Sequence, residues 1–135
     1  VAKFVSTDYK TTINGTDFSS SLSSVSLSIE SDDVETTAFG GTFRTRVGGL
    51  KTGSLTLDFF QDFGASSVDS TLFPLLNTLA TVVVLPTSAA VSATNPSYTA
   101  TCLVSQYMPI SSAVGDIATL SVTWPTSGTV SRATA

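Results

Sequence analysis

A mainly β fold, a β-sandwich or open barrel with one short helix packed on the sheet, is what this sequence predicts, and three observations carry it. Apolar residues alternate with polar ones in several short runs, which is the period of a strand buried on one face. Ser and Thr make up about a third of the 135 residues, a share that favours strands and turns over helices. One stretch only, near residues 68–79, changes to a helical period. The length suits a single domain over residues 1–135, large enough for a real core.

Residues 2–9 read as a weak strand. Thr11-Thr12-Ile13 then reaches Asn14-Gly15, a strong hairpin-turn dipeptide, and the chain returns through Thr16-Asp17-Phe18. The chain is organised around the stretch of residues 23–63. At its front Val25, Leu27 and Ile29 alternate with Ser24, Ser26, Ser28 and Glu30; at its back Leu55, Leu57 and Phe59 alternate with Thr56, Asp58 and Phe60. Between these strands, residues 31–53 show no clear period. Loops longer than roughly 12–15 residues are uncommon in compact domains and are usually functional or disordered. This one holds Phe39, Phe43, Val47 and Leu50, which gain by packing on something. The reading is an arm whose apolar residues dock on another subunit, mobile until it does so; the alternative is a loop folded back on its own domain.

Val68, Leu72, Leu75, Leu76 and Leu79 fall on one helical face, with Ser66 or Ser67 as N-cap and Asp69 in the first turn. Pro74 either kinks this helix or marks a start near Ser70. Residues 80–85 form a β-branched strand ended by Pro86. Residues 97–108 form another, with Tyr98, Ala100, Cys102 and Val104 on one side. Residues 116–124 form the last long strand, with Ala118, Leu120, Val122 and Trp124 on its apolar face. Leu55, Leu57, Leu120, Val122 and Trp124 are assigned to one core. Gly128 turns the chain into a short tail holding Val130 and Arg132.

Composition excludes several function classes. The net charge is −4, and among six basic residues only Arg44 and Arg46 lie close together, so phosphate neutralisation along nucleic acid is not expected. Charged residues are 12% of the chain, against roughly 25–35% on the surface of well-behaved small domains. Identical neighbours covering much of the surface would reconcile this, and so would a secreted Ser/Thr-rich module. Cys102 is the single cysteine, so no internal disulfide forms. Residues 1–10 lack the apolar core of a signal peptide, and the apolar run at 72–85 is too short to span a bilayer, so a cytoplasmic origin without membrane contact is expected.

Catalytic constellations are missing too. With no histidine there is no Ser-His-Asp or Cys-His system and no histidine metal site. Four strand residues separate Asp58 from Asp62 by about 13 Å, beyond the roughly 5–9.5 Å that glycosidase carboxylates need. Asp32, Asp33 and Glu35 lack the spaced pattern of a calcium loop and read as a solvated acidic turn. Gly40-Gly41 and Gly48-Gly49 are not followed by the Lys-Ser/Thr of a phosphate loop. Arg44 and Arg46 read as subunit ion pairs. The chain is expected to be no enzyme and to need no cofactor.

The order of elements, together with Thr37-Ala38-Phe39-Gly40-Gly41-Thr42-Phe43-Arg44-Thr45-Arg46, Gly49-Leu50-Lys51, Gly53-Ser54-Leu55, Asn95-Pro96-Ser97-Tyr98, Val114-Gly115-Asp116 and the strand ending at Trp124, resembles the tail tube (major tail) proteins of long-tailed bacteriophages along nearly the whole chain. Each motif is weak alone; the ordered set carries the resemblance. At Gly41 the chain departs from the pattern, where an acid is common. The resemblance implies a virion structural protein, assembled in the host cytoplasm. Its subunits would form six-fold rings whose sheets join into a ring-wide β-barrel, and the rings would stack into a tube that carries genomic DNA. It implies as partners the protein itself and the tape measure, tail tip and terminator proteins, with DNA passing through unbound. The arm, through Phe39, Gly40, Phe43, Arg44, Arg46 and Leu50, and the N-terminal segment would bridge rings, and the helix would cover the outside of the sheet. The apolar strand face being needed for the core, Ser26, Ser28, Glu30, Thr56 and Asp58 would face the lumen. A secreted or surface binding sandwich is the alternative function.

Overall fold

Alternation of apolar and polar residues draws eight strands of the described residues into two antiparallel sheets that share one interior. The computed structural model describes residue 3 and residues 5–135. The first sheet holds β1 (Lys10–Ile13), β2 (Thr16–Asp17), β5 (Leu79–Leu85), β6 (Ser97–Leu103) and β8 (Ser131–Ala133), in the order β2-β1-β5-β6-β8. The second holds β3 (Leu22–Glu35), β4 (Arg46–Phe60) and β7 (Thr119–Pro125), with β4 in the middle. The architecture is thus mainly β with one short helix, α1 (Val68–Leu75).

The β1–β2 turn is made by Asn14 and Gly15, at φ 50° and 85°, the left-handed pair that a two-residue hairpin of matching twist needs. In the second sheet, Val25 stands opposite Leu57 and Leu27 opposite Leu55, while Leu57 also faces Val122 and Leu55 faces Trp124. Leu55, Leu57, Phe59, Leu120, Val122 and Trp124 are all buried on that face, as the pattern predicts, against Ile13, Val82, Ala100, Cys102 and Val104 of the other layer. Phe18 meets Phe59 edge-on with ring centroids 6.0 Å apart. At one corner the chain passes between the sheets: Thr126 bridges to Cys102, and its N–H donates to Gly53 O at 3.0 Å. A side chain at Gly53 would come within 3.1 Å of Ser28 O, so this close approach favours glycine.

Several boundaries differ from the sequence expectations. Residues 31–35 and 46–53 are paired strand rather than part of an irregular connection, and only residues 36–45 lie outside the ladder. Period two was hidden there because both faces are exposed and because the register shifts between Ser31 and Asp33, a bulge that breaks the alternation. The strand expected over 97–108 ends at Leu103, and the one expected from 116 begins at Thr119. The tail beyond Gly128 supplies β8, an edge strand on β6. The strand expected over 2–9 falls partly on residues 1, 2 and 4, which lie outside the described residues, and residues 5–9 form none.

The helix starts at Val68, with the Ser67 N–H donating to Ser70 Oγ at 3.0 Å. Pro74 does not delay its start. It sits in the last turn, and the helix stops one residue later. Val68 and Leu72 are buried and Leu75 packs on the core, but Leu76 lies past the helix end and Leu79 opens β5, so neither belongs to the buried helical face. Asn77, at φ 67°, turns the chain, and its N–H donates to Val104 O at 2.7 Å.

Candidate functional site

Two surfaces of the second sheet carry the residues singled out from sequence, and a third surface adjoins the end of β4. The first is its outer face. Antiparallel register sets Ser26 opposite Thr56, Ser28 opposite Ser54, Glu30 opposite Thr52 and Ser24 opposite Asp58; on the other side, Thr56 faces Thr123 and Asp58 faces Ser121. Ser26, Ser28, Glu30, Thr56 and Asp58 therefore share one face, turned away from the core. Sequence reasoning left Ser54, Ser121 and Thr123 out of this set, although the alternation of β7 marks the last two. The Thr56 and Thr123 hydroxyls lie 3.2 Å apart and hydrogen-bond across the strands. The face is a field of hydroxyls with two carboxylates, and neither Lys nor Arg occurs in the chain between residues 54 and 131. Phe60, in the same row as Thr56 and Asp58, is a large apolar residue on it and is exposed.

The second surface is the hairpin that β3 and β4 extend beyond the sandwich. Every residue from 28 to 52 is exposed. Its tip, residues 36–45, is closed by hydrogen bonds rather than by packing. The Thr36 N–H donates to Thr45 O at 2.7 Å, the Thr45 N–H donates to Thr37 Oγ1 at 2.9 Å, and the Thr36 and Thr45 hydroxyls meet at 2.8 Å. Gly40 takes φ 89°, a conformation costly for any other residue. Phe39, Phe43, Leu50 and Val47 stand exposed along this hairpin. Arg44 approaches Glu35 at 3.7 Å and Arg46 binds Asp33, so both arginines, read as subunit ion pairs, pair within the arm of one chain, and Asp33 and Glu35, read as part of a solvated acidic turn, are half-exposed and each face a guanidinium. These pairs are exposed, and such pairs contribute only about 0–1 kcal/mol.

The third surface is the end where β4 leaves the sheet. Gln61 organises it: its N–H donates to Ala118 O at 2.9 Å, and its side-chain amide donates to Pro109 O at 2.8 Å and to the Tyr107 hydroxyl at 3.2 Å. Tyr107 in turn donates to Asp69 Oδ1 at 2.6 Å, which fastens the helix to the loop of residues 104–118. Burial, then the Asp69 carboxylate, raises the Tyr107 phenol above its ordinary pKa. Sequence gave no sign of this network beyond the position of Asp69 in the first helical turn.

Cys102 is buried on β6, and desolvation pushes its thiol up to about 11, so it stays protonated at neutral pH. Among the described residues, no group of three His, Cys, Asp or Glu side chains is placed to hold a metal ion.

No protein-family model matches the sequence, and no curated protein matches it. Solved structures do share the fold. A chain of the virion of a native gene transfer agent (GTA) particle superposes with a TM-score of 0.68 at 11% identity, over 84% of this chain and 85% of that one. A chain of the tail of an empty GTA particle, determined with helical refinement in C6 symmetry, superposes with a TM-score of 0.61 at 10% identity, over 82% of this chain and 81% of that one. The likeness extends along most of both chains, and at these identities it establishes the fold.

Proposed function

We propose that this chain is the structural subunit of a tail tube: six copies form a ring, the rings stack, and the channel passes DNA. The observation that carries the reading is the second sheet. One face is apolar and seals the core; the other is hydroxyl-rich and carries Glu30 and Asp58, with no Lys or Arg on β7 or on β4 from Ser54 onward, and Lys51, which pairs with Ser31, is the nearest base to Glu30. A fold shared with a chain from a C6-symmetric GTA tail supports the same arrangement here. The outer edge of β3 pairs with no strand among the described residues and is where the sheet of the next copy would join. Six three-stranded sheets would make a barrel of about 18 strands, a number at which closed barrels leave an aqueous channel.

On this reading Ser26, Ser28, Glu30, Thr56 and Asp58 line the lumen, and Phe60 lies near a subunit seam. Duplex DNA carries one negative charge per about 1.7 Å of axis, so a basic wall would hold it by counterion release. A wall of hydroxyls with a few carboxylates repels it weakly and lets it slide. The six-fold axis repeats each acid into a belt of negative charge. The tape measure, tail tip and terminator proteins would meet the two ends of the tube, in a virion assembled in the host cytoplasm. Negative-stain microscopy of the concentrated protein tests the proposal. Hollow rings or tubes are expected; a monomer that persists at high concentration and binds a glycan would mean a binding module instead.

A further inference from the structure

We propose that the arm tip of one copy docks on an apolar, carboxylate-bearing patch at the far end of β4 in a second copy. This deepens the tube reading by naming the acceptor of the arm. The patch is drawn from Phe63, Ile110 and Ile117, all exposed and each within two residues of Gln61, Pro109 or Ala118, with Asp62 and Asp116 beside them. The three hydrogen bonds of Gln61 to Ala118, Pro109 and Tyr107 draw the segments that carry these residues together.

Three features pick the arm of another copy as the occupant. The first is chemistry: residues 36–45 of the tip present Phe39, Phe43 and Arg44 and hold no carboxylate, whereas residues 54–131, which supply the whole patch, contain carboxylates and no Lys or Arg. Aromatic and cationic on one side thus meets aliphatic and anionic on the other. The second is exchangeability. Arg44 pairs with Glu35 in the open, with side chains 75% and 49% exposed, so it can trade that carboxylate for Asp62 or Asp116 of a partner at little cost. The third is distance. Tip and patch sit at opposite ends of β4, whose 15 residues span about 50 Å, so the two surfaces of one molecule cannot meet. Two different surfaces at opposite ends of a molecule give a heterologous contact, which stacks copies along one direction unless the rotation between them closes a ring.

Cysteines at Ala38 and Ser112, both exposed, would flank the proposed contact and leave its aromatic, aliphatic and charged residues intact. Buried Cys102 stays out of the reaction. Oxidising the Ala38→Cys/Ser112→Cys protein is expected to give a ladder of covalent oligomers, and each single-cysteine variant should stop at dimers. Rings or tubes that form without a ladder would overturn the docking and leave the tube reading standing. A ladder from protein that never forms rings would uphold the docking and overturn the ring. Monomers with no ladder would overturn both.

Discussion

Trp124 donates its indole N–H to the main-chain carbonyl of Gln106 at 2.9 Å, and the Gln106 side chain accepts the Thr123 N–H at 3.3 Å. Residues 18 apart are thereby clamped, and the largest side chain of the core is held by its one polar atom. Trp124→Phe keeps an aromatic ring but loses this bond and some volume. It should lower stability by about 1–3 kcal/mol in urea denaturation, with the m-value unchanged.

Leu57 and Phe39 should separate folding from assembly. Leu57 is fully buried, and truncation to Ala should cost about 2–5 kcal/mol. Phe39 is fully exposed, so Phe39→Ala should change the stability of the monomer by no more than about 0.5 kcal/mol while abolishing polymerisation. An unaltered melting temperature for Leu57→Ala would mean that the strand faces are reversed.

Gly53 and Gly48 make a matched pair on β4. A methyl group at Gly53 meets Thr126 Oγ1 at 3.0 Å and Ser28 O at 3.1 Å, whereas at Gly48 it meets only Ser31 Oγ at 3.4 Å. Gly53→Ala should destabilise the protein by about 1–3 kcal/mol and Gly48→Ala hardly at all, as thermal melts would show.

Asp17 should give the fold an acid-sensitive brace. Its carboxylate accepts from the Ser19 hydroxyl and from the Ser19 N–H at 2.9 Å, and both bonds hold its pKa below the ordinary value. A lowered folded pKa means that the stabilisation is complete above the unfolded value of about 3.9 and is lost as pH falls through the folded one. Asp17→Asn should therefore lower the melting temperature slightly at pH 7, and the difference from wild type should vanish near pH 2. A difference that grows toward low pH would reverse the assignment.

Asp58→Lys should leave the fold intact, because its side chain points away from the core in the row of Thr56 and Phe60. If that row faces a channel, tubes of the variant should bind duplex DNA with an affinity that falls steeply with salt, whereas wild-type tubes should bind none.

Much of the fold was legible because one-sided burial writes itself as period two: Leu55, Leu57 and Phe59, and Leu120, Val122 and Trp124, declared their face directly. Asn14-Gly15 declared its turn as plainly. The arm was legible as a projection but not as a ladder, since strands wet on both faces lose their alternation and the bulge near Asp32 shifts what remains. Leu76 and Leu79 kept a helical spacing beyond a helix that Pro74 and the turn at Asn77 bring to an end. The Gln61–Tyr107–Asp69 chain and the Gln106–Trp124 clamp join residues 18 to 46 positions apart, and nothing local signals such pairings.

The central claim is that the hydroxyl face of the second sheet is the wall of a channel, and a cryo-electron microscopy reconstruction of the assembled protein tests it most directly. The account predicts a six-fold tube with Ser26, Thr56 and Asp58 on the inner wall and α1 outside. A tube with Asp58 on its outer surface would contradict it.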